Sequence, residues 1–153
     1  MEGPQLKVTQ AGLEHLAELA PMFDSYRVFY RQKSSPEAAL EFLQQRLSKA
    51  DSVIFLADVD GEAAGFTQLY PMFTSVGMAR IWILNDLFVP NEFRRRGVAE
   101  ALMKTAVEFA RSEGAVSISL ETQQSNTQAS ALYQKLGWKK EDEYDYYSLR
   151  LTS

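Results

Sequence analysis

The chain has 153 residues, 46% of them hydrophobic and 12% aromatic, which is enough to bury one proper core and too apolar for a disordered protein. Its formal net charge of −4 argues against nucleic acid as a main partner and is compatible with a cationic substrate such as an amine. With no cysteine and a single histidine, His15, the chain offers no disulfide, thiolate metal site or cysteine nucleophile and speaks against histidine triads and multi-histidine metal sites, so no metal is expected.

The opening Met-Glu-Gly-Pro has neither the basic nor the apolar region of a secretion signal, and no stretch reaches the ~18 apolar residues of a membrane span. A cytoplasmic protein without a membrane partner is the expectation. Residues 5–10 alternate like a short strand. Residues 12–31 read as a helix, with Leu13, Leu16, Ala20, Phe23, Arg27 and Tyr30 at three- and four-residue steps; Pro21 within them predicts a kink or break. His15 falls on that helix's surface. Ser35-Pro36-Glu37 supplies cap, proline and acid in order, so a helix is expected over 36–49, burying Leu40, Leu43 and Leu47.

Val53 to Ala57 is a continuous apolar run that suits a strand covered on both faces. Asp60-Gly61 then signals a hairpin into a strand over about 62–70, with a bulge at Gly65. Residues 71–78, with Pro71 and Gly77, read as a loop. Ala79 to Val89 reads as a long strand stopped by Pro90. An amphipathic helix follows to about Gly114, with Val98, Ala101, Leu102, Thr105, Phe109 and Ala110 on one side and Glu100, Lys104 and Glu108 on the other. Val116 to Glu121 is a strand, Asn126 caps a helix ending at Leu136-Gly137, and residues 144–151 suggest a last strand. This order predicts one α/β sheet with helices on both sides.

Chemistry gathers where the long strand gives way to the amphipathic helix. Arg94-Arg95-Arg96-Gly97-Val98-Ala99 sits at that helix start, where main-chain N–H groups lack intrahelical partners and the helix dipole is positive. Such a turn binds anions, and three guanidinium groups add charge and donors. A diphosphate cradle and an arginine-rich surface turn both fit the residues alone. The P-loop and dinucleotide fingerprints are both missing.

Downstream come Leu120-Glu-Thr-Gln-Gln-Ser-Asn126, Ala129, and Leu132-Tyr133-Gln-Lys-Leu136-Gly137-Trp138. Together with Arg94-x-x-Gly97-x-Ala99, these segments resemble the Gcn5-related N-acetyltransferase (GNAT) family, whose element order covers most of the chain. The resemblance implies a single domain over 1–153: a mixed, largely antiparallel twisted sheet of six to seven strands with helices on both faces, its central parallel pair (79–89 and 116–121) splayed around the cofactor. It implies acetyl-CoA as co-substrate, an amine acceptor and no nucleic acid. Ala99 stands where the family often has glycine.

The resemblance also implies roles. Leu87, Phe88 and Val89 would free main-chain groups for the pantetheine arm, with the Val89 N–H polarising the thioester carbonyl. Arg94, Arg95, Arg96, Gly97, Val98 and Ala99 would hold the pyrophosphate, and Asn126 and Ser130 would touch the cofactor; Asn126 caps its helix in either case. Tyr133 would protonate the departing sulfur, or else pack at a helix end. Asn85, read as sharing a strand face with Leu87, can position the amine or a water but cannot act as a base, while Asp86 falls on the opposite face. No base stands out: Glu121 is one candidate, and a water relay helped by an acid of the first helices is preferred.

Asp24, Tyr26 and Tyr30 offer a carboxylate and aromatic faces to a cationic acceptor; Glu41 reads as solvated. Segments 22–31 and 65–71 resemble the histone- and polyamine-type branch of the family. The lack of cysteine forbids an acyl-cysteine intermediate, leaving direct attack in a ternary complex. A homodimer through the last strand is implied. The competing reading is a non-catalytic acyl-CoA-binding sensor or degenerate module.

Overall fold

The computed structural model describes residues 5–152, which divide into two compact units between Glu121 and Thr122. In the first, β1 (Leu6–Gln10) leads through a 3-10 turn (Leu13–His15) into α1 (Leu16–Phe29) and α2 (Pro36–Lys49). Then come β2 (Val53–Val59), β3 (Glu62–Thr74), β4 (Ala79–Phe88), α3 (Val98–Ser112) and β5 (Ser117–Ser119). The second unit holds α4 (Thr127–Lys135). No helix among the described residues is long and apolar enough to cross a membrane.

The strands lie in the order β1-β2-β3-β4-β5, antiparallel except for the parallel β4–β5 pair. The mixed, mostly antiparallel α/β architecture is the expected one, but among the described residues the sheet has five strands, not six to seven. The missing strand is the one expected over 144–151. That segment carries alternating apolar side chains, yet it takes no strand partner among the described residues, and an isolated strand has no ladder to hold it. Tyr144, Tyr146, Tyr147, Leu149 and Leu151 are all exposed.

Helices cover both faces of the sheet. On one face Ile54, Leu56 and Phe66 pack with Leu19 and Phe23 of α1 and Ala39 and Leu43 of α2. On the other, Phe109 of α3 meets the rings of Phe55 and Trp82 edge-on, at 5.5 and 5.1 Å between centroids. This two-sided cover explains the unbroken apolar run of β2. α3 buries Val98, Leu102, Met103, Ala106 and Ala110, so Met103 and Ala106 take the inward places assigned to Ala101 and Thr105.

Three local expectations change. α1 runs unbroken through Pro21. The missing bond costs about 3 kcal/mol, whereas Leu19, Met22 and Phe23 beside it each bury roughly 1.5–3 kcal/mol of apolar side chain. Ser35 makes no side-chain cap; its N–H donates to Asp24 Oδ1 (2.8 Å), and α2 buries Ala39 and Leu43 while Leu40 stays exposed. β3 continues through Pro71, opposite Trp82, because β2 pairing stops at Val53↔Leu69 and leaves β3 an open edge where a missing donor is tolerated.

The β2–β3 ladder shifts where Ala57 pairs Gly65 and Asp58 pairs Ala63, so Ala64 is the extra residue, one place before the expected bulge. Gly65 itself marks a close approach. A Cβ there would lie 2.9 Å from the Phe88 carbonyl oxygen, 3.0 Å from Val98 Cγ1 and 3.2 Å from Leu102 Cδ1. Gly65→Ala is therefore expected to cost about 1–3 kcal/mol of unfolding free energy, read as a lower urea midpoint at unchanged slope.

Candidate active site

β4 carries a bulge that its sequence does not announce. Gln68 pairs with Asp86 and Leu69 with Leu84, so Asn85 is the extra residue. Two residues on a bulged strand then oppose one on its partner, and simple alternation fails there. Trp82 lies on the α3 side, against Phe109, whereas Asp86 and Phe88 both reach Tyr26 of α1 on the other side. Asn85 joins them, its Nδ2 donating to Asp86 Oδ1 at 3.0 Å. Asn85 thus shares a face with Asp86 and not, as alternation suggested, with Leu87.

Asp86 is 5% exposed. Three neutral groups donate to its carboxylate: Gln68 Nε2 to Oδ2 (2.6 Å), and the Tyr26 hydroxyl (2.9 Å) and Asn85 to Oδ1. Gln68 Oε1 in turn accepts from the buried Ser52 hydroxyl at 2.8 Å, and Thr67 donates its hydroxyl to the Asp86 main-chain oxygen at 2.7 Å. Burial pushes the Asp86 carboxyl above its ordinary value, and the hydrogen bonds from Gln68, Tyr26 and Asn85 oppose the rise. Burial, then the charge of Asp86, drives the Tyr26 phenol well above its usual range, and the same two causes push Tyr70 up to about 12. Sequence reasoning missed this network; its visible signal was the polar pairs Thr67-Gln68 and Asn85-Asp86 within the mainly apolar middle of β3 and β4.

The parallel pairing of β4 with β5 covers only Ile81↔Ser117 to Ile83↔Ser119. From Leu84 to Phe88, β4 runs on without a β5 partner. Pairing with β3 ends at Phe66↔Phe88, which leaves the Val89 N–H beyond the ladder. The Phe88 ring packs on Tyr26, Phe29 and Phe66, so its side chain belongs to the core and only its main chain is on offer.

A 3-10 turn, Asn91–Phe93, then leads to the arginines. Arg94 folds back: its Nε donates to the Val89 carbonyl oxygen at 2.9 Å and its guanidinium lies 5.6 Å from the Phe29 ring centre. Arg96 lies 5.6 Å from the ring centre of buried Phe93. Arg95 (φ 64°) and Gly97 (φ 79°) both take left-handed backbone, and a side chain is disfavoured there. Gly97 is needed for this conformation rather than for space, since nothing lies within 4 Å of a Cβ built on it. It starts α3 without a side-chain cap, so the first-turn N–H groups, including those of Val98 and Ala99, have no side chain of Gly97 to bond. Val98 is 1% exposed, so only its main chain is free to act.

In the second unit, Asn126 Oδ1 accepts the Ala129 N–H at 3.2 Å, capping α4 as expected. Ser130 donates its hydroxyl to the Asn126 carbonyl. Trp138 N–H closes on the Tyr133 carbonyl at 2.9 Å, and the two rings lie 6.3 Å apart. Of the expected acceptor residues, Tyr26 meets Asp86 and Tyr30 stacks edge-on against Tyr26 at 5.2 Å. Asp24 is committed to the α1–α2 joint, where the Ser34 hydroxyl and Ser35 N–H, then Arg27, hold its carboxyl below the usual range. Glu41 and Glu121 are exposed. His15 caps its own turn, accepting the Gly12 N–H at Nδ1.

A family model for the Acetyltransferase (GNAT) family matches residues 19–138. The chain belongs to the GNAT family. The uncharacterized N-acetyltransferase YhfO of Bacillus subtilis (strain 168) is 41% identical over 148 residues, 97% of this chain and 99% of its own length. A probable acetyltransferase of Haemophilus influenzae is 33% identical over 68% of this chain and 72% of its own length. A crystal structure of a probable acetyltransferase superposes with a TM-score of 0.91 at 42% identity, covering 96% of this chain and 99% of the other. By these relationships the protein is an enzyme, an acetyltransferase. An aminoglycoside N-acetyltransferase solved in complex with CoA shares the fold, with a TM-score of 0.83 at 22% identity over 97% of each chain.

The Asp86 network has a consequence for stability. A carboxyl whose folded pKa is raised holds its proton to higher pH in the folded than in the unfolded chain. Its contribution is fully present below the unfolded value of about 3.9 and is lost as pH rises through the folded value. Asp86→Asn removes this titration. The variant's unfolding free energy minus that of the wild type, from urea titrations at a series of pH values, is expected to increase across that window and then level off; a difference independent of pH refutes the elevated carboxyl.

Proposed function

We propose that the protein transfers the acetyl group of acetyl-CoA to a primary amine, a small or polyamine-like amine or a protein lysine or N-terminus, by direct attack in a ternary complex. The observation that carries the reading is the run from a stretch of β4 open on its β5 edge straight into a cationic helix start, Leu84–Phe88 followed by Arg94–Ala99. A strand edge supplies main-chain groups to an amide-bearing arm, and a helix N-terminus with guanidinium groups supplies an anion site. CoA has such an arm and such a diphosphate, in that order.

In this reading Leu87, Phe88 and Val89 offer main-chain groups to the pantetheine arm. The Val89 N–H donates to the thioester carbonyl and stabilises the oxyanion that forms on attack. The N–H groups of Val98 and Ala99, with Arg94, Arg95 and Arg96, hold the diphosphate around Gly97. Asn126 and Ser130 belong to the cofactor motif of the second unit, and Tyr133 protonates the departing thiolate; a phenol of ordinary pKa ~10 suffices for a thiol of ~8.5. Tyr26 and Tyr30 give the acceptor aromatic faces. Asp24 is given the lesser role of shaping the α1–α2 joint beneath them.

Amine acceptors find support among the relatives: the thialysine N-epsilon-acetyltransferase of Caenorhabditis elegans is 29% identical over 89% of this chain and 79% of its own length. The whole chain works as one domain in the cytoplasm. The exposed Tyr144, Tyr146, Tyr147, Leu149 and Leu151 are buried by a second copy, giving a homodimer.

Calorimetry with acetyl-CoA, and CoA release on spermidine, lysine, thialysine, an aminoglycoside and lysine-bearing peptides, test the reading. Reversing Arg95 and Arg96 to Glu is expected to weaken acetyl-CoA binding at least 10-fold, since a charge-assisted hydrogen bond contributes roughly 1.5–3 kcal/mol. Tyr133→Phe is expected to lower kcat about 100-fold with binding retained. Tight binding without turnover, unaltered by Tyr133→Phe, points instead to an acyl-CoA sensor. No binding at all rejects both.

A further inference from the structure

A buried carboxylate without a cation beside it needs an account. Desolvating a charge is costly, and an apolar side chain of similar size is usually the more stable choice. Asp86 is surrounded instead by three neutral donors. The arrangement has a direction. On the Oδ2 side it is closed, because Gln68 and Ser52 are both buried and bonded to each other. On the Oδ1 side it leads outward, through half-buried Tyr26 and exposed Asn85.

The orientation of those two groups follows from Asp86. Asn85 gives its Nδ2 to the carboxylate, so its Oδ1 is the end turned away. Tyr26 gives its proton to the carboxylate, so its oxygen keeps lone pairs for an incoming donor. Both are thereby set as acceptors, which is what an ammonium or amine requires. Asn85 stands two residues before Leu87, about 7 Å along the strand from the stretch that takes the thioester in the function proposed above, and Tyr26 packs on the Phe88 ring of that stretch.

We propose that Asp86 is the sink for the proton shed by the acceptor amine, reached through the Tyr26 hydroxyl while Asn85 Oδ1 holds the nitrogen. An N–H bond of the ammonium breaks as Tyr26 Oη takes that proton. The phenol's own O–H breaks as Asp86 Oδ1 takes the second, and the nitrogen lone pair is left to attack the acetyl carbon. Tyr26 remains a neutral phenol throughout, and the carboxylate ends as a carboxylic acid. Asp86 acts only through Tyr26 and Asn85 and is a positioning residue as well as the store.

The surroundings suit the task. Burial raises the Asp86 carboxyl, making it a better proton acceptor than a solvated one. Tyr26 and Tyr70 are the neutral phenols that feel its charge, Tyr30 stands beside Tyr26, and the charge of Arg46, paired with Asp51 at 2.8 Å, acts on Tyr70. No cation bonds Asp86 among the described residues, so only the three neutral hydrogen bonds oppose the rise that burial causes.

The test is kcat/KM from pH 5.5 to 9.5 with acetyl-CoA and the fastest amine of the panel above. Asp86→Asn and Tyr26→Phe are expected to lose about 100-fold near pH 6.5 and to close on the wild type as pH approaches the amine's own pKa of about 10, where free amine needs no base. Asn85→Ala is expected to raise KM for the amine about 10-fold with kcat little changed. A merely structural role lowers activity by the same factor at every pH, and that result overturns the proposal. If Asp86→Asn does not fold, Tyr26→Phe, which keeps the ring packing, decides alone. A wild type that turns over none of the amines overturns the transferase reading and this one together; turnover with a pH-independent ratio overturns this one only.

Discussion

The extra residue at Asn85 governs what β4 presents to its surroundings. Counted on from Trp82, which faces α3, strict alternation would send Asp86 toward α3 and separate it from Asn85. With it, Asn85 and Asp86 share the α1 face, and a buried carboxylate acquires an exposed neighbour. The same irregularity lies just beyond the last β4–β5 pair, Ile83↔Ser119. One inserted residue therefore coincides with the start of the open strand edge and with the buried polar cluster around Asp86. Bulges re-aim side chains and end pairing, and here both effects fall within three residues.

Core packing fixes the other half of the site. Gly65 admits the Phe88 carbonyl, Val98 and Leu102 into a space that a single methyl would fill, so the first turn of α3 is held against β3. Val98 and Leu102 are essentially inaccessible to solvent. The mouth of the helix, where the Gly97 carbonyl accepts the Ala101 N–H, is thus located by the hydrophobic layer behind it. On the opposite face Tyr26, Phe66 and Phe88 form an aromatic cluster whose members reach both the core and Asp86. The polar site rests on apolar contacts, which hold its elements in place.

What could be read from the sequence was local. The Asp60-Gly61 hairpin, Pro36 at the head of α2, Gly97 at the head of α3 and Asn126 capping α4 each act through their own backbone or their nearest neighbours, and each stands where expected. What could not be read depends on pairing. β3 passes Pro71 because β2 has already ended, a fact about another strand. The bulge at Asn85 carries no glycine or proline, and Ile-Leu-Asn-Asp-Leu-Phe reads equally well as regular strand. Residues 144–151 have the composition of a strand, but a strand needs a partner, which composition does not supply. Asp86 was assigned a face by counting from Leu87, and the inserted residue invalidates that count only on the N-terminal side, which is why Asn85 and not Asp86 was misplaced.

The span between the strand end and the helix mouth is itself constrained. Arg94 Nε bonds the Val89 carbonyl, closing the five-residue link over the Asn91–Phe93 turn, and the guanidinium rests near Phe29. Arg96 is similarly laid against Phe93. Arginines held on aromatic rings have already lost part of the rotamer freedom that anion binding would otherwise take from them. Arg95, in left-handed backbone between them, carries a conformational strain of roughly 1–2 kcal/mol that the chain retains. In the proposed function this link sets the distance between the Val89 N–H, which donates to the thioester carbonyl, and the diphosphate at Gly97. A ligand must then match that spacing, which selects for a thioester on an arm of fixed length rather than for phosphate alone, and it does so in a chain whose 20 acidic residues outnumber its 16 basic ones and disfavour anions elsewhere.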